Sequence, residues 1–134
     1  MADVNFFEDE KPSQQEGSAS LLKIINTVHD FQQQIFIWHL NSKGHYHTAT
    51  DEAYKALQGI LDGLGEAYIG ETGNLYEKGD YPKFTAAFSP EKATALSKKF
   101  IGILNGAAEK CNDEGIKGYF GDAINTVRSM YFKF

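Results

Sequence analysis

Five side chains between positions 39 and 66 have the types and the spacing to hold a metal ion: His39, His47, Asp51, Asp62 and Glu66. From His47 onward the steps are four, eleven and four residues. At about 100° per residue those steps return to nearly one direction, so on a helix the four side chains form a single stripe. His39 stands just upstream, at the end of a separate helical pattern. Imidazole nitrogen together with carboxylate oxygen is the ligand set suited to iron, zinc or manganese. Singly, each acid would belong to a solvated helix face; their joint phase with His47 is what points to a metal. Of the remaining histidines, His45 is out of phase and expected to be exposed, while His29 sits at an apolar edge and reads as structural.

Four helical patterns must position these residues. The first is expected to start at Ser18 or Ser20, either of which can cap it, and to run to about Asn41. Its apolar face is Leu21, Ile25, Val28, Gln32, Ile35, Phe36 and His39, and the run IFIWHL near its end predicts burial on two sides. Ser42-Lys43-Gly44 breaks it. The second helix runs from about Thr48 to Thr72. With Asp51 at zero on that helix, Asp62 falls near 20° and Glu66 near 60°, whereas Ala53, Leu57, Ile60, Leu61, Leu64 and Tyr68 fall between about 180° and 280°. The stripe therefore lies opposite the core face. Residues 73–89 read as a long ordered connection. Ser89-Pro90-Glu91 starts a third helix with a capping hydroxyl, a proline at the first position and an acid in the first turn. Its stripe is Ala93, Leu96, Phe100, Ile103, Leu104 and Ala107. Asn112-Asp113-Glu114-Gly115 is a turn and cap before a fourth helix from about Ile116 to Tyr131. Gly59 with Gly63, and Gly102 with Gly106, are spaced to let two helices approach closely. No period-two pattern survives. The fold class is all-α, a ferritin-like four-helix bundle with one long crossover between the second and third helices.

That arrangement decides between kinds of metal site. A di-iron site inside a bundle needs carboxylates on the core face, usually with Glu-x-x-His motifs on two helices. The chain has no Glu-x-x-His. The stripe faces either solvent or a second subunit.

Composition sets the outer bounds. At 134 residues the chain makes one domain, and 42% hydrophobic with 23% charged residues is ordinary for a globular protein. Residues 1–17 carry five acids against one lysine, together with Pro12, and are expected to form a flexible acidic tail ahead of a bundle domain at 18–134. Phe6 and Phe7 are candidates to dock on a neighbouring surface. No run of about 18 apolar residues points to the membrane. The first residues lack a basic segment followed by an apolar one, and Cys111 is the single cysteine, so a reducing, cytoplasmic setting is expected. The net charge of −5 argues against a surface that coats nucleic acid.

His39-x4-Gly44 followed by His47-x3-Asp51-x10-Asp62-x3-Glu66 resembles the ferroxidase pattern of the Dps-like miniferritins, within the ferritin-like superfamily. The likeness covers roughly residues 20–72 and rests on five ligands in order. It implies a di-iron site, open to zinc or manganese as substitutes, shared across a twofold dimer. His39, His47 and Asp51 would come from one subunit, and Asp62 and Glu66 from its mate. Trp38 and Tyr54 would correspond to aromatic positions nearby. It also implies a homo-oligomer, in the family a dodecameric cage, that oxidises Fe(II) with peroxide or oxygen and stores the product. Basic tails bind DNA in many Dps proteins, but here the tail is acidic. The segment between Gly44 and His47 is about one helical turn shorter than the family's usual form, which bears on whether the two histidines converge. The alternative is a non-enzymatic oligomeric helical bundle, a structural or accessory protein compatible with a small phage or bacterial source, with a vestigial metal site.

Overall fold

The structure, a computed structural model, describes residues 14–79 and 87–134. The described residues form four α-helices and no strand: α1 (Gln14–Leu40), α2 (His45–Thr72), α3 (Pro90–Glu109) and α4 (Glu114–Phe132). The expectations for Phe6, Phe7 and the first part of the acidic tail lie outside the described residues. Helix α1 starts at Gln14, ahead of the expected hydroxyl caps; Gln14, Gln15 and Glu16 are good helix formers.

Local chemistry sets the other boundaries. Ser89 accepts a hydrogen bond from the Lys92 amide at 3.1 Å, with Pro90 in the first turn of α3. Asp113 accepts from the Ile116 amide at 3.0 Å and so opens α4 two residues earlier than Ile116. Gly73 closes α2 in the left-handed conformation, its amide donating to the Ile69 carbonyl at 2.8 Å.

Side-chain contacts fix the helix directions. Glu52 of α2 pairs with Lys133 beyond α4, and Gly63 of α2 lies against Tyr119 of α4, so α2 and α4 are antiparallel. Phe31 stacks on Phe100 with ring centroids 4.2 Å apart, while Trp38 meets Phe88 at 6.5 Å, so α1 and α3 are antiparallel too. Since α1 and α2 form a hairpin, α2 ends at the end of the bundle away from the start of α3. The connection through residues 73–89 joins opposite ends.

The core is one cluster drawn from all four helices, with Val28, Phe31, Ile35, Trp38, Leu57, Leu64, Phe100, Leu104, Phe120 and Val127 excluded from solvent. Truncating Phe31 or Phe100 to alanine would cost about 3–5 kcal/mol at such sites. Phe88, Tyr46 and Phe134 close one end of the bundle, with pairwise centroids 5.5 to 5.8 Å apart. At the other end the connection is tied back to α1. Asn26 donates to the Glu77 carbonyl at 3.2 Å and accepts from the Gly79 amide at 3.1 Å, and Lys78 reaches the buried Asp30 at 2.7 Å.

Two sequence expectations are revised. IFIWHL is not buried on two sides: Ile35 and Trp38 are buried, but Ile37 is 49% exposed and Leu40 61%. Of the paired glycines only Gly63 has a close neighbour, since a Cβ there would enter the Tyr119 ring; Gly59, Gly102 and Gly106 face open space. Gly63→Ala should therefore destabilise by about 1–3 kcal/mol through overpacking. Gly102→Ala, with nothing within 4 Å, should stabilise by roughly 1 kcal/mol through helix propensity. Urea midpoints of the two variants check this, and a Gly63→Ala protein as stable as wild type would contradict the close approach of α2 to α4.

Candidate metal centre

The hairpin between α1 and α2 brings His39 and His47 together. Only four residues link the helices, and Gly44 takes φ 63°, ψ −138°, a backbone conformation that side chains with a Cβ rarely adopt. This tight reversal starts α2 at His45, three residues ahead of Thr48, and puts His47 on its first turn. The imidazoles of His39 and His47 stack with centroids 3.9 Å apart and planes 26° from parallel. The short segment after Gly44 does not keep them apart.

Their hydrogen bonds fix the tautomers. Nδ1 of His39 lies 3.0 Å from the His47 carbonyl, and Nδ1 of His47 lies 2.7 Å from the His39 carbonyl. A carbonyl can only accept, so both Nδ1 atoms carry the hydrogen and donate it. When uncharged, each ring then keeps its lone pair on Nε2. A backbone carbonyl on the far nitrogen is the usual partner of a metal-ligating histidine, because it orients the ring and raises its basicity. The same bond has a structural side: the His39 carbonyl is in the last turn of α1, where carbonyls lack helical partners, and it accepts from His47 and, at longer range, from the Ser42 amide and hydroxyl.

Asp51 completes this group one turn along α2. Its Oδ1 lies 3.9 Å from Nε2 of His39, and its side chain is 35% exposed. Lys55 contacts the other oxygen at 3.0 Å. That hydrogen bond from Lys55 holds the Asp51 carboxyl below the usual carboxylate range; some desolvation opposes it, and the charges of Lys55, His39 and His47 assist.

Asp62 and Glu66 stand elsewhere. They are exposed on α2 and line a cleft of about 350 Å³ with His29, Gln58, Leu61, Gly65, Ile69 and Tyr76. Eleven residues separate Asp51 from Asp62, about 16 Å along the helix axis at 1.5 Å per residue. Metal–ligand bonds to nitrogen and oxygen are about 2 Å long, so one chain cannot bring both groups to one ion. Among the described residues no three His, Cys, Asp or Glu side chains converge closely enough to hold a metal.

Other expectations sort by face. His45 is exposed. Tyr54 lies beside Phe36 at 5.0 Å, and Phe36 is 6.2 Å from His39, so that aromatic borders the histidine group. Trp38 points instead into the core, edge-on to Phe31 at 5.8 Å. His29 is half-buried, with its Nδ1 atom shielded and unpartnered, and belongs to the carboxylate end. Gln58 donates to Asp62 Oδ1 at 3.2 Å and accepts from the buried Gln32 at 3.1 Å. The signal for that contact was Gln32, a polar residue within an apolar face.

No protein-family model, curated protein or solved structure matches the chain. No helix among the described residues is long and apolar enough to cross a membrane.

The Lys55 contact gives a pH test. A depressed carboxyl contributes stability that is present above its unfolded value and lost as pH falls through the folded one. In Lys55→Met the main cause of the depression is gone, so the Asp51 midpoint should move up towards an ordinary carboxylate. Carboxyl-carbon NMR titration reads this directly. An unmoved midpoint would mean that Lys55 does not hold Asp51.

Proposed function

We propose that the protein is a Dps-like iron-binding ferroxidase with a ferritin-like bundle, and that its di-iron site is completed between two copies of the chain. The observation that carries this reading is the division of ligands on α2. A histidine group (His39, His47, Asp51) and a carboxylate group (Asp62, Glu66) share the outward direction of the helix but stand too far apart to meet. A twofold axis passing outside α2, level with the stretch between Lys55 and Gln58, sets a second, antiparallel copy of the helix against it. Each histidine group then lies over the carboxylate group of the other copy, giving two equivalent sites per dimer.

The surroundings support that docking. Leu40, 61% exposed, lies one turn beyond Phe36 at the histidine end, and Ile69, 47% exposed, shares the direction of Asp62 at the carboxylate end. The same axis would cover one with the other. One connection joining opposite ends of the bundle, the arrangement expected of a ferritin-like fold, supports the same reading.

Iron is the substrate in this reading. Nε2 of His39 and of His47 and the Asp51 carboxylate would bind from one side, and Asp62 and Glu66 of the second copy from the other. Mixed nitrogen and oxygen ligands accept Fe(II), and the carboxylates offset the charge gained on oxidation. Two Fe(II) ions each give one electron to hydrogen peroxide, which takes up two protons and leaves as two waters. Zinc or manganese would occupy the same ligands without turnover. A cage of several dimers would hold the product.

A second reading, a non-enzymatic oligomeric bundle with a vestigial site, is favoured by one observation. Lys55 already neutralises Asp51 at 3.0 Å, as on a solvated helix face.

Fe(II) with peroxide should raise the near-ultraviolet absorbance faster with the protein than in protein-free buffer. Asp62→Asn, which keeps the shape and removes the charge, should slow that rise by about 10-fold or more, the size of effect seen when metal sites lose a supporting group. A wild-type rate equal to buffer favours the bundle without chemistry, and an unchanged rate in Asp62→Asn removes Asp62 from the site.

A further inference from the structure

Gln32 belongs to α1 and is 1% exposed, yet it lies one side chain away from Asp62. Its Nε2 atom is 3.1 Å from the Tyr54 carbonyl and 3.1 Å from Oε1 of Gln58. Nε2 of Gln58 is in turn 3.2 Å from Oδ1 of Asp62. Both ends of this chain are acceptors only, a backbone carbonyl and a carboxylate, so the direction of every hydrogen bond is fixed. Gln32 spends its two hydrogens on Tyr54 and Gln58. Gln58 must then turn its oxygen inwards and its NH2 group towards Asp62. Without Gln32, nothing in the relay keeps Gln58 from rotating, and the opposite amide orientation would set oxygen against the Asp62 carboxylate.

We propose that Gln32 is a positioning residue for the carboxylate half of the metal centre, acting on Asp62 through Gln58. The inference rests on the metal-centre reading above. The relay anchors Oδ1 of Asp62 to the buried side of α1, leaving Oδ2 and the Glu66 carboxylate for a cation. Held in one rotamer, Asp62 loses little side-chain freedom when the ion binds. A supporting residue of this kind is typically worth 10- to 100-fold in metal affinity.

Zn2+, which does not turn over, serves as the probe, titrated into the full chain against a chromophoric chelator. Gln32→Leu and Gln58→Leu should each weaken Zn2+ by about 10-fold. The double variant should be no weaker than either single one, since both break one relay. With Fe(II) and peroxide, the half-saturating Fe(II) concentration should rise and the maximal rate should hold; partial unfolding would instead lower the maximal rate. If Gln32→Leu fails to fold, Gln58→Leu, altered on the surface, decides alone, and unchanged Zn2+ affinity there overturns the relay. Additive losses in the double variant also overturn it. Asp62→Asn run alongside separates the two claims. Loss in Asp62→Asn with none in Gln32→Leu and Gln58→Leu rejects the relay and leaves the metal centre; no loss in Asp62→Asn rejects both.

Discussion

Helix α2 can bury only one side against its own bundle, and that side is fixed by Ala53, Leu57, Leu64 and Tyr68, all buried. The rest of the molecule follows from that division. With the apolar side committed to α4 and the shared core, Asp51, Asp62 and Glu66 have no direction left but outward. The same geometry separates the two ligand groups along the axis, because a stripe that returns every eleven residues advances about 16 Å before it repeats. A helix alone can align ligands but cannot gather them. The hairpin at Gly44 gathers one group, folding His39 back onto His47, while Asp62 and Glu66 stay apart from it.

Much of this was legible in the sequence. The period of 3.6 in Leu57, Leu64 and Tyr68 against Asp51 and Asp62 sets which way each side chain points before any contact is known. Ser89-Pro90-Glu91 and Asp113 announce their helix starts through cap chemistry that is local to three or four residues. The start of α2 was less legible. Its first turn carries no capping side chain and depends on Gly44 at positive φ, and a glycine between two helices reads equally well as the end of one or the start of the next.

What stayed hidden is long-range. Asn26, Asp30 and Gln32 are buried polar residues on α1, and periodicity treats them as interruptions or as edges of an apolar face. Each meets a partner distant in the sequence: Glu77 and Gly79 for Asn26, Lys78 for one oxygen of Asp30, Gln58 for Gln32. The reciprocal hydrogen bonds of His39 and His47 are of the same kind, since they need the hairpin before either carbonyl is within reach. Apolar excess misled in the other direction. Ile37 and Leu40 look like core in the run IFIWHL but stand exposed on α1.

The central claim, that two copies share the ligands, is tested most directly by complementation. One variant lacks His39 and His47 and the other lacks Asp62 and Glu66, so neither alone can complete a site. Assembled together at random, about half of the dimers are mixed, and each mixed dimer carries one complete site and one that keeps only Asp51. Iron oxidation should be absent in either parent and return in the mixture to about a quarter of the wild-type rate. A mixture that stays inactive, although native mass spectrometry shows the mixed dimers, would contradict the shared site and leave the stripe on α2 as a solvated helix face.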